Sequence, residues 1–279
     1  YEFIIYTTQH GITIANNLCF ILNLLGHKSN ITYDITENDI SENDISENEI
    51  YIILFPQTLK KFPKKNKYII YQLEQFIQSN WINKNYIDNI LNSLYTFDYS
   101  LYNIYNFYKL NNSILNNKLL YQPLSINTIY INDYICDIDI LFYGGLNVRR
   151  INILNQLLLN EYKIHIVDNI FGDKLDELIK RSKIILNIHY YKNANLEIPR
   201  INEVLRFNKI IISEYPNKFD NNIIDFKNNI IFIDEILDDL SNINNLYEKI
   251  NYYSIEYNYK KYLLDANNDL FINNNLMKS

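Results

Sequence analysis

The chain has 279 residues, 48% of them hydrophobic, a formal net charge of −6 and a pI of about 5.3. An acidic balance without a basic stripe argues against nucleic acid as a partner. No apolar run reaches the ~18 residues that a membrane span needs, and the length suits two domains of roughly 120–140 residues each. Asn, Ile, Tyr and Lys dominate while Gly, Pro and Trp are scarce, which reads as codon drift in an AT-rich genome. Tyr and Asn therefore carry little diagnostic weight, and each Gly, Arg, His and Pro carries more. Cys19 and Cys136 lie far apart without metal-ligand spacing. They fit a reduced, cytoplasmic setting and, placed in apolar runs, read as buried thiols. No metal site is expected. Tyr1 is not a natural start, so the chain is read as cut from a longer protein, with a lost leader or a neighbouring domain left open.

"YEFIIYTT" predicts a buried strand, and "ITIANNLCFILNLLGH" a helix with Ile14, Leu18, Ile21, Leu22 and Leu25 in helical spacing, ended by Gly26. Thr36–Ile50 repeats the pattern T/S-E-N-D/E-I every five residues, a period of neither helix nor strand, and is read as an acidic surface loop. "IYIILF" (Ile50–Phe55) and "KYIIYQLEQ" (Lys67–Gln75) predict strands, Tyr86–Leu94 and Ser100–Leu110 helices, and "KLLYQPLSIN" a last strand. The only local basic run, Leu59–Lys67, reads as a solvated loop.

The pattern restarts with "DIDILFYGG", a strand reaching a glycine pair. Helix (Asn147–Asn160), strand (Lys163–Asp168), helix (Asp173–Ser182), strand (Lys183–His189), helix (Pro199–Asn208), two strands ("KIIIS", "NIIFID") and a terminal helix follow. This is the β-α-β order of a doubly wound parallel sheet. The expected fold class is α/β, with two Rossmann-like doubly wound domains facing across a cleft. Residues 1–135 form the first, 136–255 the second, and 256–279 a helix or tail. Open parallel sheets gather ligands at the carboxyl ends of their strands, so the residues that follow strands are the candidates.

Gly144 and Gly145 end a strand before a helix, where backbone N–H groups suit a phosphate, and Asn147, Arg149 and Arg150 follow. Guanidinium forks match phosphate oxygens, whereas the G-x-G-x-x-G dinucleotide fingerprint is absent. Gly172, in "DNIFGDKLDE", reads chiefly as a helix start. In "ILNIHYYKNANLEIPR", His189 ends a strand and Glu197, Arg200 and Glu203 flank or begin a helix. Residues three apart on a helix share a face. Either Glu197 and Arg200 pair, or Arg200 reaches a diphosphate while a glutamate bonds a ribose. In "TTQHGIT", His10 follows the first strand and is a candidate general base. "DID" (Asp137–Asp139) has the shape of a metal-binding D-x-D but stands at the wrong end of its strand.

"DILFYGGLNVRRINIL", "DKLDELIKRSKIILNIHYY", "LEIPRINEVL" and "KIIISE" occur in this order and spacing. Together, over about Asp137–Glu214, they resemble the nucleotide-sugar-binding half of bacterial and viral GT-B glycosyltransferases, the giant-virus type included, which would place the protein in a host cytoplasm. "YIIYQLEQ" and "DYSLYN" resemble the family more loosely. The resemblance implies a metal-independent enzyme that uses a nucleotide sugar, UDP- or GDP-linked, as co-substrate and no other cofactor, with a glycan or other hydroxyl acceptor on the first domain near Gln9–Ile12. It implies that Gly144, Gly145 and Arg149 or Arg150 lie near the diphosphate, that His189, Glu197 and Arg200 line the donor site, and that Ile170–Gly172 lies near the base. Related enzymes often carry two glutamates separated by seven residues. Counting back from Glu203 reaches Asn195, so either Glu197 takes the first role at a shifted spacing or the pattern does not apply. A non-catalytic sugar-nucleotide-binding module is the alternative. The missing fingerprint and the absence of a Y-x-x-x-K pair beside a plausible cofactor site, which "YYKNANLE" does not supply, argue against an epimerase or oxidoreductase.

Overall fold

The computed structural model describes residues 1–35, 48–64, 67–77, 79–110, 118–124, 129–130, 134–220, 222, 226, 228–233 and 243–255. Most of the acidic repeat, the tail 256–279 and the first part of the expected terminal helix lie outside the described residues. Two compact units divide the chain, Tyr1–Ser125 and Ile126–Ser279. The sequence sets the division at 135. Tyr130, however, stacks on Phe207 at 5.4 Å and donates its N–H to the Arg206 carbonyl, which ties it to the second unit.

The first unit runs β1 (Glu2–Tyr6), a 3-10 turn (Gln9–Gly11), α1 (Ile12–Leu24), β2 (Lys28–Thr32), β3 (Glu49–Ile53), β4 (Tyr68–Gln72), α2 (Lys84–Asn92), β5 (Thr96–Asp98), α3 (Leu101–Leu110) and β6 (Leu119–Tyr121). Its strands are all parallel, in the order β2-β1-β3-β4-β5-β6. Strands covered on both faces read as continuous apolar runs, which is why β1, β3 and β4 are visible in sequence. β2 and β5 are not. β2 is a polar edge strand with one face open to solvent, and β5 spans three residues whose pairing, not their composition, makes them a strand. At Gly26 φ is +82°, and the N–H of His27 returns to the Leu22 carbonyl at 3.0 Å, closing α1 as a glycine C-terminus does.

The second unit runs β7 (Ile138–Tyr143), α4 (Val148–Leu159), β8 (Ile164–Val167), α5 (Asp173–Arg181), β9 (Ser182–Asn187), α6 (Ile198–Leu205), β10 (Ile210–Ser213), β11 (Ile231–Phe232) and α7 (Ile243–Ile255). The order β11-β10-β9-β7-β8 is parallel throughout. The sheet reverses direction of winding at β7, so its switch point lies between β7 and β9. Alternate strand residues face opposite sides. Ile140, Phe142, Ile184, Leu186 and Ile212 pack with Ile153, Leu154 and Leu157 of α4 and with Leu246 and Ile250 of α7. On the other face α5 and α6 lie against β7, β9 and β10. α5 has Asp173 and Asp176 in its first turn and Lys180 and Arg181 in its last, matching the helix dipole at both ends. Gly172 is its N-cap at φ +60°.

The cysteines are partly buried rather than buried: Cys19 Sγ meets Ser29 Oγ at 2.9 Å, and Cys136 Sγ meets Lys209 Nζ at 3.3 Å. Among the described residues no helix is long and apolar enough to cross a membrane. Leu157 has no exposed surface, and Leu157→Ala is expected to cost about 2–5 kcal/mol of stability through the cavity it leaves. A denaturation midpoint unchanged from the wild type would show that α4 is not packed into this core.

Candidate functional site

The carboxyl ends of β7 and β9 flank the switch point, the place where an open parallel sheet leaves room for a ligand. β7 delivers Tyr143, and the chain then turns at Gly144 with φ +117°. A Cβ at Gly144 would collide with Nη2 of Arg200. Glycine is thus required twice, for the backbone angle and for the guanidinium beside it. Arg200 lies over the Tyr143 ring, 5.0 Å from its centroid, and donates through Nη1 to Oδ1 of Asn187 at 3.1 Å. Gly145 carries no such constraint; its carbonyl accepts from Arg150 Nη1 at 2.7 Å. Asn147 caps α4 by accepting the Arg150 N–H at 2.9 Å, and its Nδ2 donates to the Tyr190 carbonyl at 2.7 Å.

The two adjacent arginines are held by the protein itself. Arg149 pairs with the wholly buried Glu214 and donates to the His189 carbonyl at 2.8 Å. Arg150 is 3% exposed and donates through Nε to the Ile188 carbonyl at 2.9 Å. Its guanidinium lies between the rings of Phe142 and Tyr190. Burial pushes that guanidinium down to about 9, and the charges of Arg200 and Arg149 act in the same direction against Glu197.

His189 is 1% exposed, and its backbone N–H donates to Glu214 at 3.0 Å. Its Nδ1 stands 2.6 Å from Oε2 of Glu197, which also accepts from Asn187 Nδ2 at 3.1 Å. Burial alone would lower the imidazole pKa, but the charge and hydrogen bond of Glu197, aided by Glu214, raise it overall. Burial likewise opposes the charge on Glu197. His189, Arg200 and Arg150 outweigh it and hold the carboxyl well below the ordinary carboxylate range. Each member of the pair thus favours the charged form of the other. The expected shared helix face for Glu197 and Arg200 needs correction: Glu197 is the N-cap of α6, with φ −75° and ψ 71°. Its side chain turns back to the end of β9 instead of running along the helix.

Glu203, one turn into α6, accepts from the Tyr143 hydroxyl at 3.1 Å. His10 lies in the first unit, exposed on the 3-10 turn, with Nδ1 3.4 Å from Thr8 Oγ1. Asp137 and Asp139 stand at the start of β7, bonded to Arg181 and Lys183 at 2.5 and 2.6 Å. Among the described residues no group of three His, Cys, Asp or Glu could hold a metal ion. The structure thus gathers the glycine turn, the three arginines, His189, Glu197 and Glu203 at one sheet edge. Glu214 and Asn187 organise them and were not singled out from the sequence. The available signal was a carboxylate directly after the apolar run "IIIS". Three guanidiniums and the His189 ring stand against the carboxyl groups of Glu197 and Glu214, so cationic side chains predominate at this edge.

Burial pushes the Glu203 carboxyl up to about 7, against the Arg206 charge. Folded Glu203 therefore keeps its proton to higher pH than in the unfolded chain. Its contribution to stability is full below the ordinary carboxyl range and is lost as pH rises through about 7. Melting temperatures taken at about pH 5 and pH 8 should fall with pH, and Glu203→Gln should flatten that fall. An unchanged slope in the variant would assign the dependence to other groups.

No protein-family model and no curated protein sequence matches the chain. Solved structures do. An alpha-glucosyltransferase in complex with UDP-glucose and DNA containing an abasic site aligns with a TM-score of 0.56 at 10% identity, covering 97% of this chain and 94% of that one. An alpha-glucosyltransferase in complex with UDP and a 13-mer DNA containing a HMU base gives 0.59 at 11%, covering 97% and 95%. WaaG, a glycosyltransferase involved in lipopolysaccharide biosynthesis, gives 0.54 at 10%, covering 96% and 94%. At these identities the likeness establishes the fold: the chain has the two-domain, Rossmann-like α/β fold of GT-B glycosyltransferases.

Proposed function

We propose that the protein is a glycosyltransferase that moves a sugar from a UDP- or GDP-sugar to a hydroxyl acceptor, a glycan above all, without a metal. The observation that carries this reading is the cluster of arginines at the β7–β9 switch point, where Arg200 lies against a side-chain-free turn. It supports a diphosphate approaching the Gly144–Gly145 backbone with Arg200 as the charged donor. Arg149 and Arg150, already bonded to protein groups, act from behind as fixed charge. Positive charge set in place before reaction stabilises the leaving diphosphate without reorganisation. Glu197, held by His189, and Glu203 are the carboxylates for the ribose or sugar hydroxyls. The acceptor belongs to the first unit. Two of the similar structures contain DNA, whereas the net charge of −6 favours an acceptor without a phosphate backbone.

A thermal-shift series with UDP-glucose, GDP-mannose, dTDP-glucose and NAD, in EDTA, tests the donor. One sugar nucleotide should raise the melting temperature, and stabilisation by NAD alone would sink the transferase reading. Arg200→Ala should weaken binding of the stabilising nucleotide about 10- to 100-fold, the worth of a hydrogen bond to a charged group, with the apo melting temperature nearly unchanged. A collapse of the apo fold would instead make Arg200 a structural residue. Glycosyl transfer to duplex DNA in preference to saccharides would overturn the acceptor assignment.

A further inference from the structure

A second polar construction stands in the first unit, at the carboxyl ends of β4 and β5. Gln72, Asp98, Ser100 and Asn103 have no exposed surface. Gln72 is the centre. Its Nε2 donates to Asp98 Oδ2 at 3.2 Å and to the Glu74 carbonyl at 2.6 Å, and its Oε1 accepts from the Tyr86 hydroxyl at 3.0 Å and from the Glu74 N–H. Asp98 Oδ1 accepts from the Ser100 N–H at 2.8 Å and from Asn103 Nδ2 at 3.3 Å. Asn103 also donates to the Glu74 carbonyl at 3.1 Å and accepts the Phe76 N–H at 3.1 Å.

The backbone of Glu74 is therefore held at both its N–H and its carbonyl by buried side chains of other residues. Buried polar groups are costly unless matched, and a network matched this fully specifies one conformation of what it holds. It holds the short loop after β4, on the ligand edge of the sheet. The side chain presented there is a carboxylate, half-buried, with Oε1 accepting the Gln75 N–H at 3.2 Å. Burial raises its pKa, opposed by hydrogen bonds from Ser79 and from the Gln75 N–H. Tyr71 of β4, Tyr86 of α2 and Asp98 of β5 are titratable groups around the same network. His10, by comparison, is exposed on a single turn.

We propose that Glu74 is the acceptor-binding carboxylate of the first unit: it takes the hydrogen bond of the attacking hydroxyl, with the Gln72–Asp98–Asn103 network as its fixed mount. This rests on the glycosyl-transfer reading and names the residue that orients the acceptor. Water and glycerol, the smallest hydroxyl acceptors, are the probes. Release of nucleotide diphosphate is measured from the sugar nucleotide that stabilises the wild type, with and without glycerol, beside the donor-induced melting shift. Glu74→Gln should slow release about tenfold or more while the donor-induced shift and the apo melting temperature stay as in the wild type, and Glu74→Asp should recover part of the rate. A Glu74→Gln rate within about threefold of wild type overturns the proposal and leaves the transferase reading standing. So does a Glu74→Gln protein that loses donor binding or melts early, because the carboxylate then serves the fold. A wild type that binds the donor but releases nothing to either acceptor sinks both.

Discussion

Glu214 is a carboxylate with no exposed surface, and the second unit's sheet edge is arranged around it. One oxygen takes the Arg149 guanidinium and the other the backbone N–H of His189. A buried charge persists only when paired and hydrogen-bonded, so the ends of β9 and β10 and the first turn of α4 are locked to one another. His189 is set in place by that lock and in turn holds Glu197. Arg200 closes the arrangement from α6 through Asn187 and the Tyr143 ring.

A consequence is a division of labour among cations that look alike in sequence. Arg149 and Arg150 spend their hydrogen bonds on carbonyls and Glu214. Arg200, resting against Gly144, has its hydrogen bond among the described residues with a neutral amide. A guanidinium hydrogen-bonded to an amide, with carboxyl groups acting on it only through space, keeps donors for a further anion, and that is the kind of donor a diphosphate requires. The first unit repeats the principle with neutral groups: a buried amide, Gln72, organises the loop that bears Glu74.

Much of the fold is legible in the chain because parallel strands buried on both faces leave unbroken apolar runs. "FIIY", "YIILF", "ILFY", "IILN" and "IIIS" are each found in a strand or at its end. β2 is not legible, since an edge strand keeps polar residues on its open side, and neither is β5, too short to show a pattern. The glycine turn, His189, Glu197 and Arg200 stand out because this composition makes Gly, His and Arg rare. Glu214 does not stand out, for acidic residues are common here and its importance comes from burial.

Hydrophobic periodicity and strand ends are local properties, so the alternation of strands and helices and the set of residues that follow strands can be read directly from the chain. Tertiary structure alone decided which of those residues meet. Sheet order put β7 beside β9, so the turn at Gly144 came to face a histidine and an arginine some 45 to 56 positions on. It also decided which arginines are bonded to the protein and in which direction the Glu197 and Glu203 carboxyls shift, since both depend on burial and on partners distant in the chain. Glu197 and Glu203 are alike in sequence, yet cationic neighbours keep the first charged and burial shifts the second to about 7.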